Sequence, residues 1–157
     1  MDEHSKDNKT RIISNALYFA EVQRMLDDGK EVRIRIKGGS MRPFIEDGDS
    51  VLLLAYRGGA LQLGSNLLAK HQGKYVFHRY VGKKNGQIVL AGDGNLVLRE
   101  YIDTTDIIAV ASVHYPQQQQ SAEEINLNHR WARLCGLAWY RIRLLRRIIA
   151  KIKSLQS

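Results

Sequence analysis

Cysteine is almost missing from this chain: Cys135 is the single one among 157 residues. A lone thiol excludes an internal disulfide framework and any zinc site built from several thiolates. Cys135 is accordingly expected to be a small buried hydrophobe rather than a reactive thiol. Proline is scarce as well, with only Pro43 and Pro116, so neither a collagen-like nor a polyproline chain is in question. No run reaches the ~20 apolar residues that span a bilayer. The N-terminal MDEHSKDNKTR is polar and lacks the apolar stretch of a secretory leader. The expected location is cytoplasmic, with peripheral contact to the inner membrane face.

A one-sided absence says more. No Asp or Glu lies in residues 129–157, which hold Arg130, Arg133, Arg141, Arg143, Arg146, Arg147, Lys151 and Lys153. These eight account for the whole net charge of +8, since the other 16 of the 24 Lys/Arg balance the 16 Asp/Glu. The chain is a neutral body with a basic tail. Its 44% apolar and 25% charged residues are ordinary globular composition, and its length suits one domain plus an appendage.

Residues 12–28 read as an amphipathic helix, with Ile13, Ala16, Leu17, Ala20 and Met25 at helical spacing and Gly29 as a stop. In EVRIRIKGG, Val32, Ile34 and Ile36 alternate with Arg33, Arg35 and Lys37, the period of a half-buried strand. SVLLLAY, KYVFHRYVG, GQIVLAG and IIAVASVHY follow as strand-like runs, and KKNGQ marks a hairpin turn. Residues 1–115 thus form a mostly β domain with an N-terminal helix. Residues 116–128 read as a polar, Gln-rich linker, and residues 129–157 as a basic amphipathic helix.

Three stretches carry candidate chemistry. In IKGGSMRPFIEDGDSVLLL, glycines beside Ser40 let a backbone pass close to a ligand and aim N–H groups at it. Taken alone, Gly-Gly-Ser is a common strand-ending turn. In KYVFHRYVG, His78 sits on the same strand face as Val76 and Tyr80, a usual place for a core histidine. A serine becomes a useful nucleophile when a positioned base takes its proton, and neutral imidazole suits that role. In VLAGDGN, Asp93 is either a turn residue or the group that orients His78.

GGSMRPFIEDGDSVLL, FHRYVG and LAGDGN resemble, in order and spacing, the motifs of type I signal peptidase-like serine peptidases, whose fold LexA-type autoproteases share. The resemblance covers about residues 30–113 and implies a β-rich peptidase fold. It implies Ser40 as nucleophile and His78 as base, with Asp93 third and Asp103 the alternative. Gly39, Met41 and Pro43 fall on the oxyanion and substrate-binding side. Relatives of the lysine branch place a lysine where this chain has His78-Arg79, which resembles the Ser/His branch. Lys37, Lys70 and Lys74 do not occupy that lysine position. The usual continuation of the Gly-Asp-Asn box is replaced here by Leu96, Val97, Leu98 and Arg99. Gly38 offers no hydroxyl, so an oxyanion hole must rest on backbone amides.

The resemblance therefore implies a serine endopeptidase acting on an extended peptide or a leader-like segment. A LexA-type autoprotease and a catalytically silent peptide-binding protein are the alternatives. No metal or cofactor is expected. His71, His114 and His129 read as surface residues. The basic tail is expected to meet an anionic membrane, with Trp131 and Trp139 inserted, or a partner protein; nucleic acid is not an expected partner.

Overall fold

A computed structural model describes residues 15–117 and 123–156. It opens with helix α1, Asn15–Asp27. Gly29 ends the helix in a left-handed conformation (φ 81°), where its amide donates to Leu26 O and that of Lys30 to Met25 O. The buried face is Val22 and Leu26, with Phe19 and Met25 packed beside them. Ala16, Leu17 and Ala20 of the expected stripe are exposed, because the face with the larger side chains removes more apolar surface from water. Residues 12–14 of the expected helix lie outside the described residues.

Eight antiparallel strands follow: β1 Val32–Arg35, β2 Ser50–Ala55, β3 Asn66–His71, β4 Lys74–Lys84, β5 Gln87–Ala91, β6 Arg99–Ile102, β7 Ile107–Tyr115 and β8 Ile125–Asn126. Their spatial order is β1-β2-β7-β3-β4-β5-β6, with β8 added to β7. This is the mostly β architecture with flanking helices that the residue pattern predicts. β1 alternates buried Val32 and Ile34 with exposed Arg33 and Arg35. The β4–β5 hairpin turns at Asn85 (φ 50°) and Gly86 (φ 80°), the two positive angles that an Asn-Gly turn supplies.

β3 and β6 had no clear signature in the sequence. β3 is buried on both faces, so Asn66-Leu67-Leu68-Ala69 shows no alternation. Leu68 joins a core with α1, β1 and β2, while Leu67 and Ala69 join a second core with Tyr80, Leu90 and Ile102. The stretch expected as a linker contributes β8 and the buried Leu127; residues 118–122 of it lie outside the described residues.

Helix α2, Arg130–Gln156, closes the chain. Gly136 is its buried residue, pressed against the Arg79 guanidinium. Cys135, expected inside, is exposed. The reason is geometric: the helix turns Gly136, not Cys135, toward the sheet.

Candidate active site

Beyond β1 the backbone stays paired for one more residue, as Ile36 N donates to Asp49 O at 2.7 Å and Gly48 N to Ile36 O at 2.9 Å. Gly38 then adopts φ 86°, and its amide donates to Asp47 Oδ1 at 2.7 Å. This turn delivers an exposed Ser40 next to Met41, which is 1% exposed. Turn bonds from Arg42 N to Gly39 O and from Phe44 N and Ile45 N to Met41 O fix the segment. The methionine anchors the loop in the core so that the serine beside it can remain outside. The amides of Ser40 and Met41 donate to no described residue.

His78 projects from β4. The β4–β5 register pairs Arg79 with Ala91, so one step further places Gly92 beside His78. The register across β5 and β6 sets Leu90 opposite both Tyr80 and Glu100. His78, Gly92 and Glu100 therefore share one face. With no side chain at Gly92, the imidazole crosses toward β6, and its Nδ1 lies 2.9 Å from Glu100 Oε2. The side chains of His78 and Glu100 are 15% and 11% exposed. A Cβ at Gly92 would stand 2.6 Å from Ser40 O and 3.3 Å from His78 Nε2. Gly92 thus lies against both the serine backbone and the ring edge that Glu100 leaves free. The next turn adds a tie: Gly94 N donates to Ser40 O at 2.7 Å.

Asp93 does not orient His78. It faces the other side of the sheet and takes both carboxylate oxygens to Arg79, with Nε–Oδ1 at 2.7 Å and Nη2–Oδ2 at 2.6 Å. The physical reason is strand alternation: consecutive residues His78 and Arg79 point to opposite faces, and Asp93 follows the arginine. Arg79 also donates to Gly64 O at 2.8 Å and lies over the Phe44 ring. Burial pushes the Asp93 carboxyl above its ordinary value, and the Arg79 guanidinium opposes that rise. Asp93 supports the loop that carries Gly92 and Gly94 against Ser40.

Asp103, the alternative third member, is exposed where a 3-10 turn begins, and its amide donates to Asp106. Gly39 and Pro43 are exposed, and Arg42–Pro43 is cis. His114 is buried, not on the surface, with Nε2 2.7 Å from Asp49 Oδ2. Burial of Asp49 opposes ionisation, but the amides of Gln117 and Glu46 and His114 prevail and hold its carboxyl below the usual value. No cluster of three or more metal-ligating side chains occurs among the described residues.

Ser40 and His78 open onto one cavity of about 630 Å³. Tyr18 and Phe19 of α1, Ile34 through Lys37, Met41, and Tyr75 through His78 also line it. The cavity is mostly apolar; Arg35 and Lys37 are the cationic residues of its lining, and Arg35 Nε donates to Gly48 O at 3.2 Å. The residue that sequence reasoning missed is Glu100. A signal was present, an acid seven residues past Asp93 in Arg-Glu-Tyr-Ile, but the strand holding it is only four residues long and half polar.

A sequence model of the family described as Peptidase S24-like matches residues 7–113. That span contains Ser40, His78, Gly92 and Glu100 and ends before α2. None of the curated proteins compared with the chain matches it.

Proposed function

The chain belongs to the peptidase S24-like family, and we propose from its site that it is a serine endopeptidase whose nucleophile is Ser40 and whose general base is His78. The family supports serine peptidase activity, either on other chains or of the LexA-like self-cleaving kind. The observation that carries the finer reading is the placement of Gly92 against both the Ser40 backbone and His78 Nε2, while Nδ1 engages Glu100.

In this reading Nε2 takes the Ser40 hydroxyl proton as Oγ bonds to the scissile carbonyl carbon. The carbonyl π electrons pass to oxygen, and the Ser40 and Met41 amides, which donate to no described residue, are the donors offered to that oxyanion. Collapse breaks the C–N bond, and the imidazolium returns its proton to the leaving amine. Water, deprotonated by Nε2, then releases the acyl group and restores Ser40. Glu100 accepts the Nδ1–H bond, fixes the tautomer and stabilises the imidazolium, the part expected of Asp93 from sequence.

Among the described strands β1 pairs only with β2, and its other edge, where the Tyr18 phenol meets the Arg35 backbone, borders the cavity. An extended peptide adds to such an edge through main-chain hydrogen bonds. Lys37 favours an acidic side chain in that peptide, and the aromatic wall from Tyr18, Phe19, Tyr75 and Phe77 favours apolar ones. The test is incubation with a peptide library read by mass spectrometry. New termini should form with the wild-type chain and vanish with Ser40→Ala and with His78→Ala. Equal cleavage by Ser40→Ala refutes the assignment. Loss of the chain's own intact mass, without library cleavage, favours self-cleavage.

A further inference from the structure

The apolar stripe of α2 does not pack on the peptidase domain. At 3.6 residues per turn, Trp131, Leu134, Ile142, Leu145, Ile149 and Ile152 share one face, and each is 45–70% exposed. The face that docks is the opposite one. Arg133 donates to Leu63 O at 3.2 Å, Trp139 Nε1 to Asp93 O at 3.1 Å and Arg147 to Leu96 O at 3.0 Å. Gly136 meets Arg79 between them. Trp139 is thus spent on the domain, stacked edge-on against Phe44, and is not free to insert as the sequence suggested.

We propose that this outward face of α2 binds an anionic lipid surface while the inward face stays docked. Charge selects the occupant. Residues 129–157 carry no acid, and Arg141 and Arg146 stand on the two flanks of the stripe, where headgroup phosphates meet an interfacial helix. A second copy of this helix would bring cations against cations, which disfavours self-pairing. No helix among the described residues is long and apolar enough to cross a membrane, so the helix lies along the surface. The docked carbonyls of Asp93 and Leu96 belong to the loop whose Gly94 holds Ser40, so lipid binding would keep the Ser40 cavity close to the surface.

The experiment is co-sedimentation of the full chain with vesicles of phosphatidylglycerol and phosphatidylcholine, and with pure phosphatidylcholine. The proposal expects binding at least tenfold tighter to the anionic vesicles and weakening with salt. Arg141→Gln with Arg146→Gln should each lower it about fivefold. Ile142→Glu with Ile149→Glu should abolish it, and because both positions are exposed, circular dichroism should be unchanged. Equal binding to neutral and anionic vesicles, or none to either, overturns the proposal. So does a dimer in sedimentation equilibrium without lipid that Ile149→Glu dissociates. Binding is read without any substrate, so its failure leaves the Ser40 assignment untouched.

Discussion

Replacing Glu100 by glutamine keeps the size of the side chain and removes its charge. In the resting state the change is small, since an amide oxygen can still accept from Nδ1. The cost arises when His78 takes the serine proton and becomes cationic. A full pair of charges at about 4 Å is worth about 4 kcal/mol where the effective dielectric constant is 20. Both side chains are largely shielded, at 15% and 11% exposure, so little of this is lost to solvent. A loss of about 2–4 kcal/mol corresponds to a roughly 30- to 1,000-fold slower acylation. The assay is the rate of covalent labelling of Ser40 by a fluorophosphonate, followed by intact mass. Glu100→Gln should slow labelling by that factor at saturating probe while half-saturation changes little, because the lost interaction is one with the proton His78 takes from Ser40 in the proposed step. In a His78→Ala background the same substitution should change nothing further. Wild-type labelling by Glu100→Gln would refute the reasoning.

Gly92→Ala places a methyl 2.6 Å from Ser40 O and should reduce labelling at least 100-fold, by displacing Ser40 from His78; near-normal labelling counts against the close approach. Asp93→Asn leaves the Arg79 guanidinium buried without its anion and should lower unfolding stability by about 3–5 kcal/mol in urea titration. If the base is the His78 imidazole, as proposed, Lys37→Ala should leave labelling within about twofold. The Asp49 carboxyl is held below its ordinary value, so its stabilisation is present above about pH 4 and declines as the pH falls through the folded-state pKa. Asp49→Asn should therefore flatten the acid limb of a stability–pH curve measured by denaturant midpoint.

What the sequence revealed depended on how local each signal was. Alternation in β1, the Asn-Gly hairpin and the Ser40 loop are written within ten residues, and each is found where its pattern lies. The buried face of α1 was harder, because helical spacing alone does not choose between two apolar stripes, whereas the volume of Phe19, Val22 and Leu26 does. Local pattern offered Glu100 only as an acid in a short strand and could not assign it to His78. That assignment depends on which strand follows β5, on the register that sets Leu90 opposite Glu100, and on the missing side chain at Gly92. Asp93 had the more conspicuous motif, but strand alternation commits it to Arg79. The outward stripe of α2 was legible as amphipathicity; which face docks is decided by Gly136, whose bare backbone accepts the buried guanidinium.

The central claim is that His78 activates Ser40 for covalent chemistry. Intact-mass analysis after fluorophosphonate treatment of the wild-type chain, Ser40→Ala and His78→Ala tests it most directly. The account predicts one adduct on the wild-type chain, mapped to Ser40, and none on either variant over the same time. An adduct on Ser40→Ala, or labelling of His78→Ala at the wild-type rate, would contradict it.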